Sequence, residues 1–305
     1  MAITAAEVKK LREMTGAGMM DCKKALQEAQ GDMDKAVEIL RKKGIAKAAK
    51  KADRVASEGA VSLEISDDYK CATISEINSE TDFVAQNDNF KQLVKKALRH
   101  IHITSPDSVE DLLQTEIDGV KFEEFMKAEI AKIGENIVVR RFDKICVEGS
   151  GVVNGYIHMG GKIGVIVAAT CDKDEVCEAV KDLLKDIAMH IAAMNPKYLD
   201  ESAVPESVLE KEKEIAKAQL EKEGKPTNII DKIIPGKIKK FVEENTLLGQ
   251  KFVKDDKKSV KQILDETAKA AGGTAKIVQF VRYELGEGIE RKQDDFASEV
   301  AAQMK

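Results

Sequence analysis

The chain has 305 residues, 43% of them hydrophobic and 34% charged, with no tryptophan and a formal net charge of -5. This length suits about two packed domains, and a balance rich in Ala, Lys and Glu predicts a soluble, mainly helical protein. The charge argues against a surface built wholly for nucleic acid, and the longest apolar run, Ile163 to Ala169, is far short of a membrane span.

The first fifty residues read as three short helices. Ala5, Val8 and Leu11 make one apolar face, and the turn TGAGMMD leads to a helix through Ala25, Leu26 and Ala29. Gly31 stands where that helix needs a left-handed residue. Asp32 then caps a helix whose Met33, Ala36, Val37 and Leu40 recur at helical spacing. Such a bundle with a Gly-Met loop is of the ubiquitin-associated type. RKKGIAKAAKKADR, residues 41–54, reads as a basic, solvated and flexible helical connector.

From Ala60 the period becomes two. Val61, Leu63 and Ile65 predict a strand, SDDYK a turn, and Cys71 to Asn78 the partner strand. NSETDFVAQNDN, residues 78–89, follows as a loop of turn-forming residues with one aromatic side chain, Phe83. Phe83 either anchors its own loop to the core or awaits a partner that buries it. A helix then presents Phe90, Leu93, Val94, Ala97, Leu98 and Ile101 on one face. Ninety residues on, Val180, Leu183, Leu184, Ile187, Ala188 and Ile191 repeat this face, after strands at GVVNGYIH and KIGVIVAAT. The core therefore reads as two halves on one strand-strand-helix plan. The second half's equivalent loop, ATCDKDEVCEA, has no aromatic residue, so the plan does not require a Phe there.

Pro196 and Pro205 bracket a departure into charged helix, a turn at GKPTN and more charged helix. This reads as a projecting hairpin with Ile215, Leu220, Ile229, Ile230, Ile233 and Ile238 available for its seam. Pro235, which lacks a backbone donor, is expected to kink or interrupt the second arm. A helix at Val260 to Ala271, a strand at Lys276 to Glu284 and a final helix in DDFASEVAAQMK complete the chain. The fold class is α+β. The expected divisions are a helical domain with its connector at 1–55, core halves at 56–142 and 143–288, a helical hairpin inserted at 199–247, and a C-terminal helical module at 289–305.

Catalytic motifs are absent. The Gly-Lys pairs at 161, 224 and 236 precede Ile or Pro, so there is no phosphate-binding P-loop, and no GxGxxG or GxSxG occurs. The five cysteines are scattered without a CxxC pair, which indicates neither a disulfide framework nor a zinc cluster. The four histidines form no metal-ligand pattern. A binding protein is favoured over an enzyme. Three features stand out: Asp82-Phe83, the pair Met19-Met20 with Lys23, and His158 at a strand end beside glycines. Methionines on a small bundle are more often core than contact, but two adjacent ones cannot both face inward on one helix. A lone histidine is more often structural than functional.

These residues also carry a resemblance. TGAGMMDCKKAL and NSETDFVAQNDNF resemble the two signatures of the bacterial elongation factor Ts family, and KIGENIVVRR, IAMHIAAMNP and RYELGEGIERKQDDFASEVAA match it in order along essentially the whole chain. The resemblance implies a cytoplasmic guanine-nucleotide exchange factor for the GTPase elongation factor Tu, with no cofactor or metal of its own and no hydrolytic or covalent chemistry. It implies that Thr81, Asp82, Phe83 and Val84 form a wedge that displaces magnesium from the GTPase. It further implies that Met19, Met20 and Lys23 dock on a helix of the GTPase and that His158 pushes near its phosphate loop. The sequence departs from the family at Pro235 and at Lys251, where proline is expected. The partner is elongation factor Tu, GDP-bound or nucleotide-free, and one-to-one, homodimeric and two-plus-two assemblies are all compatible with the sequence. No membrane and no direct nucleic-acid contact are expected. The alternative, an RNA-binding translation-associated protein, rests on the basic connector alone.

Overall fold

A computed structural model describes residues 3–290; the expected C-terminal helix falls outside them from Arg291 on. Three helices come first, and strands and helices then alternate in groups along the chain, an α+β architecture with two compact units. Among the described residues one comprises 3–60, 75–142 and 284–290; the other comprises 61–74 and 143–283.

In the first unit, α1 (Ala5–Thr15) begins with a capping box in which Thr4 and Glu7 bond reciprocally. Val8 and Leu11 of α1 pack with Cys22, Ala25 and Leu26 of α2 (Met19–Glu28) and with Ala36 of α3 (Met33–Ala49). Asp32 caps α3 by accepting the Lys35 N–H at 3.0 Å. The expected helical connector is helical as far as Ala49, where it forms the second half of α3, and there it is packed rather than flexible. Gly44 faces Ala131 so closely that an added Cβ would lie 3.3 Å from the Ala131 Cβ, and Ala48 joins the neighbouring core. Small residues at i and i+4 allow this close approach. Arg41 pairs with Glu124, Lys43 with Glu28, and Lys47 with Asp21.

β1 (Glu58–Ile65) and β2 (Cys71–Ser79) follow, then α4 (Asp82–Gln86) and α5 (Asp88–Thr104). All six predicted apolar residues of α5 are buried, each contributing roughly 1.5–3 kcal/mol for a large side chain before the cost of chain ordering. The stretch from α6 (Val109–Gln114) through the short strands β3 (Glu116–Ile117) and β4 (Val120–Lys121) to α7 (Phe122–Ile133) and β5 (Ile137–Cys146) was not predicted from periodicity. Phe122, Phe125, Met126 and Ile130 of α7 complete the core with Phe90 and Ile101. The strand order is β1-β2-β5.

In the second unit β6 (Gly151–His158) and β7 (Ile163–Cys171) pair antiparallel from Gly151 opposite Thr170 to His158 opposite Ile163. α8 (Asp174–Met194) lies on them, burying Val180, Leu184, Ile187, Ala188 and Ile191 against Val152, Val165 and Val167. His190 of α8 is buried. Its Nδ1 accepts the Val253 N–H at 3.1 Å, so Nε2 carries the proton and donates to Gln250 Oε1 at 2.9 Å. Burial holds this imidazole below its usual pKa, outweighing the opposite pull of Gln250.

α9 (Glu206–Lys222) and α10 (Thr227–Asn245) pack together across a tight turn. Pro235 lies within α10 without interrupting it. Proline removes one donor, and here both it and Gly236 are exposed, where water can meet the released carbonyl. The buried residues of the two arms are Ala216, Leu220, Ile230 and Val242, whereas Ile215 and Ile229 are exposed. β8 (Lys251–Phe252) and β9 (Asp255–Ser259) form a small pair, α11 (Val260–Ala270) follows, and β10 (Ala275–Glu284) joins a sheet of order β10-β7-β6.

The cysteine reading needs correction. Cys71 and Cys146, on neighbouring strands β2 and β5, form a disulfide with Cα atoms 4.2 Å apart, and Cys171 is bonded to Cys177. The first pair is 75 residues apart in sequence and meets only through strand pairing.

Candidate functional site

The residues NSETDFVAQ do not form an open loop. β2 ends at Ser79, and Thr81 caps α4, its hydroxyl oxygen accepting the Val84 N–H at 3.3 Å. This one-turn helix sorts its side chains sharply. Val84 and Ala85 pack against the core of the first unit, while Phe83 is 84% exposed, more than any other large apolar side chain among the described residues. Phe83 does not anchor its own segment. Leaving a phenylalanine in water forgoes roughly 1.5–3 kcal/mol of burial. Asp82, beside it, is also exposed.

The segment is held rigidly by the turn between α7 and β5. Glu135 accepts the backbone N–H groups of Glu80 and Thr81 at 3.1 and 3.0 Å and the Thr81 hydroxyl at 2.7 Å. The Asn136 N–H donates to Glu80 at 2.6 Å, and the Asn136 carboxamide donates to the Ala52 and Arg54 carbonyls. Sequence reading singled out neither Glu135 nor Asn136. A loop acid and a loop amide have no periodicity, and only their position within KIGENIVVRR marked them.

Met19, Met20 and Lys23 share the first turns of α2. All three are exposed, the methionines at 58% and 63%. Met14, not predicted, is exposed as well and lines a groove of 270 Å³ with Val37, Leu40 and Ala131.

His158 belongs to the second unit. It ends β6, half-buried, with Nδ1 3.1 Å from the Tyr156 hydroxyl. The adjoining turn places Met159 at a positive φ of 48° and 73% exposed. Thus the two most exposed large apolar residues among those described, Phe83 and Met159, adjoin Asp82 and His158 respectively. Among the described residues no group of His, Cys, Asp or Glu is arranged to hold a metal ion, and no helix is long and apolar enough to cross a membrane.

Residues 80–287 match the family model described as Elongation factor TS. The chain is 79% identical to elongation factor Ts of a Nitratiruptor species over the full length of both. It is 59% identical to that of Nautilia profundicola over 98% of each chain, and 48% identical to that of Campylobacter curvus with both chains fully covered. The chain therefore belongs to the elongation factor Ts family, the translation elongation factors of protein biosynthesis.

Proposed function

We propose that the chain is a guanine-nucleotide exchange factor that binds elongation factor Tu in its GDP form, displaces magnesium and promotes GDP release so that GTP can rebind. The observation that supports this most is Phe83. It projects into water from a fixed one-turn helix while its neighbours Val84 and Ala85 are anchored, the arrangement expected of a side chain that a partner buries.

A GTPase holds its nucleotide through backbone amides, a lysine and a magnesium bridging phosphate oxygens, and magnesium tolerates little distortion of its octahedral shell. A protein that stabilises a distorted shell ejects nucleotide without covalent chemistry. Phe83 gains its burial only in the partner, and the Asp82 carboxylate competes for polar groups that had faced the metal. Thr81 and Val84 set the helix from which both project. His158 presses near the phosphate loop, and Met19, Met20 and Lys23 supply docking contacts. Linkage makes the effect reciprocal, so incoming nucleotide weakens factor binding by the same ratio and expels the factor. No hydrolytic or covalent step is required of this chain.

In this reading residues 1–55, a bundle of the ubiquitin-associated type, provide affinity. The two core halves at 56–142 and 143–288 provide exchange, and the coiled coil inserted at 199–247 and the module at 289–305 extend the contact surface. The complex works in the cytoplasm, away from membrane. The RNA-binding alternative finds little support, because Arg41, Lys43 and Lys47 of the basic stretch are already engaged by carboxylates. The test is release of labelled GDP from elongation factor Tu with and without this protein. Acceleration that saturates with factor concentration supports the reading, and an unchanged release rate overturns it.

A further inference from the structure

We infer that Glu135 is a positioning residue for exchange, holding α4 so that Phe83 is presented in one fixed direction; this inference rests on the wedge reading of Phe83. The chain needs such a device because β2 stops at Ser79, and the next two N–H groups, of Glu80 and Thr81, lie beyond the strand. One oxygen of Glu135 accepts both, at 3.1 and 3.0 Å, and the other accepts the Thr81 hydroxyl at 2.7 Å. The Thr81 oxygen then accepts the Val84 N–H, the bond that caps α4. A hydroxyl has one proton to give and lone pairs to receive. Thr81 therefore relays the position of Glu135 into the first turn of the helix that carries Phe83.

The link is reciprocal. Glu80 sends its carboxylate back to the Asn136 N–H at 2.6 Å, so the 80–81 and 135–136 segments each lend the other an acid. Hydrogen bonds to ionised acceptors are about twice as strong as neutral ones. The far side is also fixed. Gly134 leaves α7 at φ 97°, its carbonyl accepts from Lys51, and the Asn136 carboxamide donates to the carbonyls of Ala52 and Arg54 at 3.3 and 2.8 Å. The brace thus runs from the end of α3, through the turn after α7, to the base of Phe83.

A braced wedge enters its partner without first losing conformational freedom. Without the brace Phe83 remains in the chain but samples other directions, and fewer encounters distort the metal shell. The loss belongs in the maximal release rate, since docking residues elsewhere set affinity.

The experiment measures GDP release from elongation factor Tu across factor concentrations for Glu135→Ala, Glu135→Gln, Phe83→Ala and the Phe83→Ala/Glu135→Ala pair, with thermal midpoints for each. Glu135→Ala should lower the plateau rate roughly 10–100-fold, the cost of a small misplacement, with the half-saturating concentration little changed. Glu135→Gln keeps one oxygen for the two N–H groups and should fall between wild type and Ala. The double variant should be no slower than Phe83→Ala, because Glu135 acts only through Phe83. Additive losses, or a raised half-saturating concentration with an unchanged plateau, overturn the inference. If Glu135→Ala fails to fold, Thr81→Val decides, since it removes the relay while keeping shape: an unchanged plateau overturns the inference, a lowered one supports it. An ineffective Phe83→Ala refutes the wedge reading itself, whereas an effective Phe83→Ala beside an inert Glu135→Ala refutes only the brace.

Discussion

The Nε of Arg141 lies 2.7 Å from Oε2 of Glu76, whose side chain is wholly shielded from solvent. The other carboxylate oxygen accepts from Arg140 at 2.9 Å, from the Gly286 N–H at 2.8 Å and from Asn78 at 3.2 Å. Burial pushes this carboxyl upward, but the combined donors prevail and its pKa lies below the ordinary value. Arg141 also reaches the Glu284 carbonyl, so the cluster fastens residues 284–287 to β2 and β5.

Glu76→Ala should destabilise the protein by about 3–5 kcal/mol, because two arginines lose a buried counterion. Denaturant midpoints measure this, and a loss similar to that of an exposed ion pair contradicts it. The sign with pH follows from the lowered carboxyl. Its stabilisation is present above the unfolded carboxylate pKa and disappears as pH falls through the lower folded one.

His190 has the same sign for a different reason. Burial lowers its imidazole pKa, so around pH 6.5 the unfolded chain binds a proton more readily than the folded chain does. Stability should decline as pH drops from about 7.5 to about 5.5, the range around the ordinary imidazole pKa. His190→Gln should be less stable at the upper end of that range but show a shallower decline. Equal slopes for the two proteins in denaturant titrations at several pH values contradict this.

Phe83→Ala should leave the thermal midpoint near wild type, because the ring is exposed and Val84 and Ala85 hold the segment. Exchange should fall by roughly 30- to 1000-fold, as for a hot-spot side chain worth about 2–4 kcal/mol. Chelating magnesium should narrow the gap from wild type, since release is then already fast. A defect of constant size at every magnesium concentration points to simple docking.

Met19→Ser with Met20→Ser should raise the half-saturating factor concentration by roughly tenfold, equivalent to about 1.4 kcal/mol, with the plateau release rate preserved. Point variants are the right probe. Removing residues 1–55 also strips Gly44 and Ala48 from α7 and uncovers core surface. A collapsed plateau for the methionine pair shows instead that the bundle takes part in the exchange step.

Much was legible in short-range pattern. The face Phe90 to Ile101 and its counterpart ninety residues on identified α5 and α8, alternation identified β1, and the SDDYK turn and the apolar segments GVVNGYIH and KIGVIVAAT pointed to β2, β6 and β7. Adjacent Met19 and Met20 could not both turn inward, and neither does. These readings hold because a residue's face is set by local backbone geometry. The hairpin seam was harder: Ala216 is buried where Ile215 was expected, since helix rotation is decided by what lies opposite.

Spacing and pattern along the chain thus mark its helices and strands and the anomaly of Phe83, and the order of its signatures marks its family. Whether Phe83 tucks in or stands out depended on which neighbour took the inward place, and Val84 and Ala85 took it. The basic stretch became a packed helix because Gly44 found Ala131. Glu135 braces Thr81 across 54 residues of sequence, and Cys71 meets Cys146 across 75. Such partners carry no periodic signal. They meet only when separate strands and turns close on one another, so the chain's three-dimensional closure alone decides them.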